Sequence, residues 1–417
     1  MENSYNKDTF CIAPWMASHL NTFNTAIPCC IYKAKKPFGE MKKGTPFFNH
    51  YNSEEAIRVR KALWEGEKIE ECNECWFREQ SAPSPELSDS YRSNINDIFK
   101  EYIDDAILNT NDDFTLKEPR FRLLDLRFDN KCNLKCRICT PNFSSALFKE
   151  FKELKFYDWN VQESAYNISV DDNEYSFIID QLKHVKVLFF AGGEPLTQDK
   201  HYEILQYCID NDYAKDITIW VTTNFTKLKY KNYDLISMWK HFKKVEVTAS
   251  IDASYARNDY MRDGSNWDDI VANRIKLKEE FPEAIFMIVP TVTIMNSYNV
   301  VDLYKEWLEL GYIKPGMIHV NLLSFPLHMQ LCNLPEHHKS KVRKLYQDTI
   351  EWIDSNIESE RCKEKDISQF RFLLEILNKE RSEEQFQKFI QRTKQVDKYR
   401  GNDFFKDFPE FSDFLVV

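Results

Sequence analysis

The chain has 417 residues, with 43% hydrophobic and 14% aromatic residues, only 9 glycines and a formal net charge of -10. It is too apolar for a disordered tail, too poor in glycine for low complexity, and long enough for one large domain with additions or two to three smaller ones. The acidic balance gives no overall attraction for phosphate backbones or anionic lipid, so a nucleic-acid partner is not expected.

The opening residues, MENSYNKDTF, lack the charged start and apolar run of a secretory signal, and a cytoplasmic location is expected. Eleven cysteines without such a signal point to reduced thiolates serving as metal ligands rather than to disulfides. Residues 1–92 form a Cys-rich region that holds Cys11 in FCIAPW, Cys29 and Cys30 in IPCC, and Cys72 and Cys75 in ECNECW. Residues 93–119 read as a linker, introduced by SAPSPELSDS, with some helix around Ile95 to Ile107.

From 120 to 326 six strand-like runs recur with helix-length gaps: LLDLRF (123 to 128), VKVLFFAGG (185 to 193), ITIWVTT (217 to 223), VEVTASI (245 to 251), FMIVPTVTI (286 to 294) and IHVNLLSF (318 to 325). Runs apolar on both faces, separated by segments such as FSSALFKEFKEL and DDIVANRIKLKEEF, indicate parallel strands covered by helices. The expected class is α/β, a partial (β/α)6 TIM-like barrel with its site at the strand C-terminal ends. Pro290 inside the fifth run suggests an edge or a bulge. The apolar stretch from Phe286 to Met295 is far shorter than the ~20 residues of a membrane helix, so no membrane partner is expected. Residues 327–417 read as a helical C-terminal region with an aromatic ending, FFKDFPEFSDFLVV, expected to be buried packing. No internal repeat is found.

Cys132, Cys136 and Cys139 form a CxxxCxxC triad after the first barrel strand. A [4Fe-4S] cluster usually takes four cysteines, so three leave one iron open to a chelating cofactor. Zinc loops typically pair two CxxC elements and close all four positions, which this triad does not. With GGEP one strand later, at Gly192, Gly193, Glu194 and Pro195, the chain resembles the radical S-adenosylmethionine (SAM) superfamily along this whole middle region. The resemblance implies that SAM chelates the open iron and is reductively cleaved to a 5′-deoxyadenosyl radical that abstracts hydrogen. It also implies a reducing donor such as flavodoxin or ferredoxin. Glycines let backbone carbonyls turn toward the SAM ammonium, and Glu194 complements its charge. Asn224 with Thr223, Ser250 with Asp252, Arg262 and Asn296 follow later strands as further cofactor candidates; Ser250 and Asp252, flanking Ile251, are expected to face ribose together. Arg262 is read either as a partner of the SAM carboxylate or as half of a structural salt bridge. Where the family usually has an aromatic before the third cysteine, Ile138 stands and is expected to pack on adenine.

The first five cysteines resemble the SPASM and twitch auxiliary-cluster modules, although those modules usually follow the radical SAM core. The resemblance implies a second [4Fe-4S] cluster on Cys11, Cys29, Cys72 and Cys75, with Cys30 spare or substituting for Cys29, and four thiolates including CxxC also suit zinc. That cluster would assist oxidation or substrate binding. The substrate is expected to be a peptide or protein side chain or a small metabolite. Cys208 is expected in the core and Cys362 to be incidental, while Cys332 is a candidate hydrogen donor. His337, His338 and the lysines of IYKAKKPF are expected on solvated surfaces. The alternative to an enzyme is an iron-sulfur or zinc scaffold that has kept the barrel and lost turnover.

Overall fold

The computed structural model describes residues 5–21, 25–33, 35–40, 47–81, 88, 90–156 and 172–416. They fall into two compact units, one of residues 1–130, 163–221 and 237–245, the other of residues 131–162, 222–236 and 246–417.

The first unit is built on strands β1 (Ala17–Leu20), β2 (Thr25–Ile27), β3 (Gly39–Glu40), β4 (Leu123–Leu126), β5 (Val187–Phe190) and β6 (Thr218–Thr223), in the order β6-β5-β4-β1-β2-β3. β1, β4, β5 and β6 run parallel, while β2 and β3 add antiparallel. The register places Leu20, Leu126, Phe190 and Val221 in one row, each at most 1% exposed. Successive side chains alternate faces, so the neighbouring row, His19, Asp125, Phe189 and Trp220, looks the other way. That second row carries the polar groups, and Phe189 and Trp220 in it are half-exposed. β1 was not anticipated: ASHL is four residues with two polar ones inside a region read for its cysteines, too short to show a period.

Helix α1 (Glu54–Glu65) starts at Ser53, whose hydroxyl accepts the Ala56 N–H, and stops at Gly66 with φ +99°. On it Arg60 is fully buried, donating to the carbonyls of Phe114 (2.7 Å), Tyr51 (2.7 Å) and Pro14 (3.2 Å). Helix α2 (Asn73–Ser81) carries Cys75. Most of the SAPSPELSDS stretch lies outside the described residues. The helix expected around Ile95 to Ile107 is two helices, α3 (Tyr91–Ile98) and a short one over Ile103–Leu108. Helix α4 (Asp199–Asp210) buries Cys208, as expected.

In the second unit β7 (Lys244–Ala249) and β8 (Ile285–Ile288) pair in parallel from Glu246 opposite Ile285 to Ala249 opposite Ile288. The fifth run breaks at Pro290, which has no N–H for a ladder; pairing resumes at Thr291–Val292, parallel to Asn321–Leu322. The sixth run, read as eight residues, supplies only that two-residue strand and a bridge from Ile318 to Ile288. Helices α5 (Trp267–Glu280) and α6 (Asn299–Glu309) lie between strands, and α7 (Glu336–Asn356), α8 (Glu360–Leu377) and α9 (Glu383–Arg400) form the expected helical C-terminal region. The α/β class with a parallel-rich sheet thus holds. Among the described residues no helix is long and apolar enough to cross a membrane.

The aromatic ending is core: Phe404, Phe408, Phe411 and Phe414 are at most 1% exposed, with Phe404 and Phe411 stacked at 5.7 Å. His338, expected on the surface, is buried beside these rings; its Nδ1 lies 2.8 Å from the Tyr298 hydroxyl and its Nε2 3.0 Å from Asp413. His337 is exposed and bonds the same carboxylate at 2.6 Å. Adjacent helix positions point apart, and here the C-terminal segment reaches back to cover only one of them.

On α8, Asp366 accepts from the Tyr304 hydroxyl (2.7 Å) and the Gly316 N–H (2.9 Å), yet burial pushes its carboxyl up to about 6. The folded state therefore holds a proton that the unfolded chain loses near pH 4, so stability falls as pH rises from about 4 to 6. The loss is about 3 kcal/mol by linkage. Urea midpoints measured across that range should drop in the native protein and stay nearly level in Asp366→Asn.

Candidate cluster and cofactor sites

In the second unit the cysteine loop is held by a two-residue antiparallel ladder, Lys135–Cys136 against Arg262–Asp263, which sets Arg262 opposite Cys136. The Arg137 N–H extends it to the Met261 carbonyl at 2.8 Å, and the Cys139 N–H closes a turn onto the Cys136 carbonyl at 3.0 Å. Arg262 Nη1 sits 3.7 Å from Cys136 Sγ, while Nε is ion-paired with Asp252 Oδ2 at 2.8 Å, both side chains buried. Asp252 also accepts the Thr291 N–H (2.8 Å), and its carbonyl accepts from Asn296 (2.7 Å). Asp252 is thus engaged within the protein, whereas Ser250 is half-exposed at the end of β7; the two do not share the environment expected of them. Arg262 is half of a buried salt bridge. Asn224 donates to Asn133 Oδ1 (2.9 Å) and comes within 4.0 Å of Cys132 Sγ. The Leu134 N–H lies 3.4 Å from the same sulfur, and Ile138 is half-exposed.

Burial raises the Cys136 and Cys139 thiols; the cations of Arg262 and Arg400 pull Cys136 back down. Both cysteines line a chamber with Leu147, Phe151, Met295 and Arg400. Cys332 sits on a short turn over Leu331–Asn333 and is not among its lining residues. Cys362 is half-buried against Gly316.

In the first unit GGEP follows β5. Gly192 and Gly193 have φ of +75° and +53°, where side chains are disfavoured, and a Cβ on Gly192 would stand 2.8 Å from Arg127 Cβ. Glu194 is buried and caps the turn Pro195–Thr197 by accepting the Leu196 N–H at 3.1 Å. The Arg127 side chain that covers Gly192 reaches Asp125, donating from Nε at 3.2 Å. Asp125 in turn is hydrogen-bonded to His19 Nδ1, its partner in register on β1. A carboxylate kept ionised can only accept, so His19 carries its proton on Nδ1 and offers Nε2 as a lone pair. Burial lowers the His19 imidazole, with Asp125 opposing.

The five N-terminal cysteines lie in this unit too. Burial lifts Cys29 well above the usual thiol value, and the thiols of Cys30, Cys72, Cys11 and Cys75 add to it. Cys11 is pushed up to about 12 and Cys75 to about 11, again by burial first. Cys11 accepts from the Ala13 backbone N–H and Cys75 from that of Arg92, whose guanidinium is paired with Glu79 at 2.7 Å. Cys30, also raised to about 12 by burial, feels Asp125 and Arg127 ahead of any thiol. Cys29 thus has all four other thiols among its charged neighbours, Cys30 foremost, while Cys30 has Asp125 and Arg127 of the Arg127–Asp125–His19 group foremost. That polar row was missed in the sequence. An LDLR strand paired with an ASHL strand gives no motif; only the register puts the residues together.

A zinc tetrahedron needs thiolate sulfurs about 3.8 Å apart, given Zn–S bonds of about 2.3 Å. Among the described residues the only set of three or more potential ligands within 4.8 Å of one another is His337, His338 and Asp413. Neither cysteine group is gathered to zinc spacing. Cys11, Cys75 and Cys136 are buried, and Cys29, Cys72, Cys132 and Cys139 are half-buried.

Residues 126–310, from the end of β4 to α6, match the family model described as the Radical SAM superfamily. No curated protein matches the chain. Among solved structures, native anSMEcpe with bound AdoMet and Cp18Cys peptide is 20% identical over 56% of this chain and 61% of its own, with a TM-score of 0.38. Streptococcus suis SuiB bound to the precursor peptide SuiA is 16% identical over 64% of this chain and 52% of its own, with a TM-score of 0.39. The chain thus spans about three fifths of the anSMEcpe chain and half of that SuiB chain.

Gly192→Ala should lower folding stability by about 2 kcal/mol, from a strained φ and a collision with Arg127. Chemical denaturation would read it, and an unchanged midpoint would contradict the close approach.

Proposed function

We propose that this chain is a radical SAM enzyme with two [4Fe-4S] clusters. Cys132, Cys136 and Cys139 would hold the one that binds SAM, and Cys11, Cys29, Cys72 and Cys75 an auxiliary one. When bound, the first cluster and SAM supply reductive cleavage to a 5′-deoxyadenosyl radical, which abstracts hydrogen from an organic substrate. The observation that carries this reading is the match to the Radical SAM superfamily model over residues 126–310, with a three-cysteine loop pinned opposite a buried arginine.

The roles of the chain's own residues follow. Arg262 offers an N–H to the Cys136 sulfur and is itself neutralised by Asp252. Gly192 and Gly193 would offer backbone carbonyls to the SAM ammonium, and Glu194 would complement its charge. Pro195 fixes the turn after it. Ile138 would pack on adenine, and Ser250 and Asn224 would bond ribose. His19, oriented by Asp125 through Nδ1, would be able to accept a proton at Nε2. The substrate is a peptide or protein side chain or a small metabolite, and the reductant a flavodoxin or ferredoxin.

Anaerobic reconstitution followed by dithionite and SAM should yield 5′-deoxyadenosine and methionine; a fully loaded protein yielding neither would refute the enzyme reading. Replacing Cys132, Cys136 and Cys139 by Ala should leave about four iron and four sulfide per chain. In that background Cys29→Ala should lose them and Cys30→Ala keep them, and stoichiometric zinc instead would overturn the second cluster. For His19, nitrogen-15 NMR of histidine-labelled protein should find the Nδ1–H tautomer at neutral pH, titrating below the ordinary imidazole value. Asp125→Asn should abolish that tautomer preference, and an Nε2–H tautomer in the native protein would remove His19 as a proton acceptor.

A further inference from the structure

Helix α9 ends at Arg400, followed by Gly401 with φ +72°. The Arg400 side chain is 3% exposed; Nε and Nη2 donate to the two Glu150 oxygens, both at 2.8 Å. Its Nη1 is buried and has no hydrogen-bond partner, the nearest carboxylate, Asp263, being 3.8 Å away. Leaving a charged N–H unpaired in the interior costs about 1–3 kcal/mol or more, so such a group persists where something else accepts from it. Arg400 lines the same chamber as Cys136 and Cys139. The neighbouring turn is fixed to the cysteine loop itself. Arg137, between two of the cysteines, lies 3.7 Å from the Tyr260 ring centroid and donates to Asp397 of α9 at 2.6 Å, and Tyr260 bonds the same carboxylate at 2.7 Å.

We propose that Arg400 donates its unpartnered Nη1–H to the sulfurs of the cluster on Cys132, Cys136 and Cys139. The C-terminal helix is thereby part of the cluster site and raises its reduction potential. This rests on the cluster reading above. Positive charge and N–H donors at the sulfurs favour the more negative, reduced cluster. Arg400 is a positioning and tuning residue; it touches neither substrate nor the carbon from which hydrogen is taken.

The test is a redox titration of the full-length reconstituted protein, followed by electron paramagnetic resonance. Only the signal that changes on adding SAM is tracked, which separates the open-iron cluster from the auxiliary one. Arg400→Gln should retain its iron and show at least a tenfold smaller reduced-to-oxidised ratio at a fixed potential, a midpoint lower by about 59 mV for one electron. Arg400→Lys keeps the charge and loses the fork to Glu150, and should fall between the two. An Arg400→Gln protein with full iron and a native midpoint would overturn the proposal. If Arg400→Gln loses iron, Arg400→Lys decides: full iron with a lowered midpoint supports tuning, whereas iron loss there too, or a native midpoint, refutes it. A native protein with no SAM-responsive signal would refute the cluster reading itself.

Discussion

Everything in the second unit that bears on chemistry hangs on the two-residue ladder that sets Cys136 opposite Arg262. A ladder that short has little stability alone. It is held from outside: Asp252, at the end of β7, pins the arginine, and Asn296 and Thr291 pin Asp252. The chain of fixation therefore runs from the parallel strands to a buried carboxylate, from that to a guanidinium, and from the guanidinium to a sulfur. Losing one partner of such a pair leaves a buried charge uncompensated, which is why Asp252 matters to a site it does not itself touch.

The first unit solves a related problem differently. Its second cysteine group is met by backbone N–H groups of Ala13 and Arg92, with the nearby guanidinium of Arg92 balanced by Glu79. Backbone donors cannot rotate away, so the sulfurs are oriented by the path of the chain. The same unit aligns His19 and Asp125 across two strands by register alone, and the Arg127 side chain that holds Asp125 also fills the space where Gly192 lacks a Cβ. A polar row and a glycine turn are thereby coupled through one arginine.

What was legible in the sequence were features with a local signature. CxxxCxxC, GGEP and CxxC announce themselves by spacing, and long apolar runs announced β4 to β8. Features made by the meeting of distant segments were not legible. β1 is four residues long and finds β4 more than a hundred residues later. His338 owes its burial to a segment some 75 residues downstream. Arg262 was read with two roles open, and its ion pair needs the position of Asp252, which only the fold supplies. Ser250 and Asp252 were expected to act together because strand alternation puts them on one side, but the strand ends at Ala249 and alternation ends with it.

The contact from Arg137 to Asp397 joins residues 260 positions apart. At a synthesis rate of about 5–20 residues per second, roughly 13 to 50 seconds pass between the emergence of the cysteine loop and that of the helix that covers it. For that interval the Arg137 guanidinium, set between two of the cysteines, has no Asp397 to bond. The cysteine loop is thus made long before the helix that fixes it, and a truncated C-terminal region would leave Arg137 without that carboxylate.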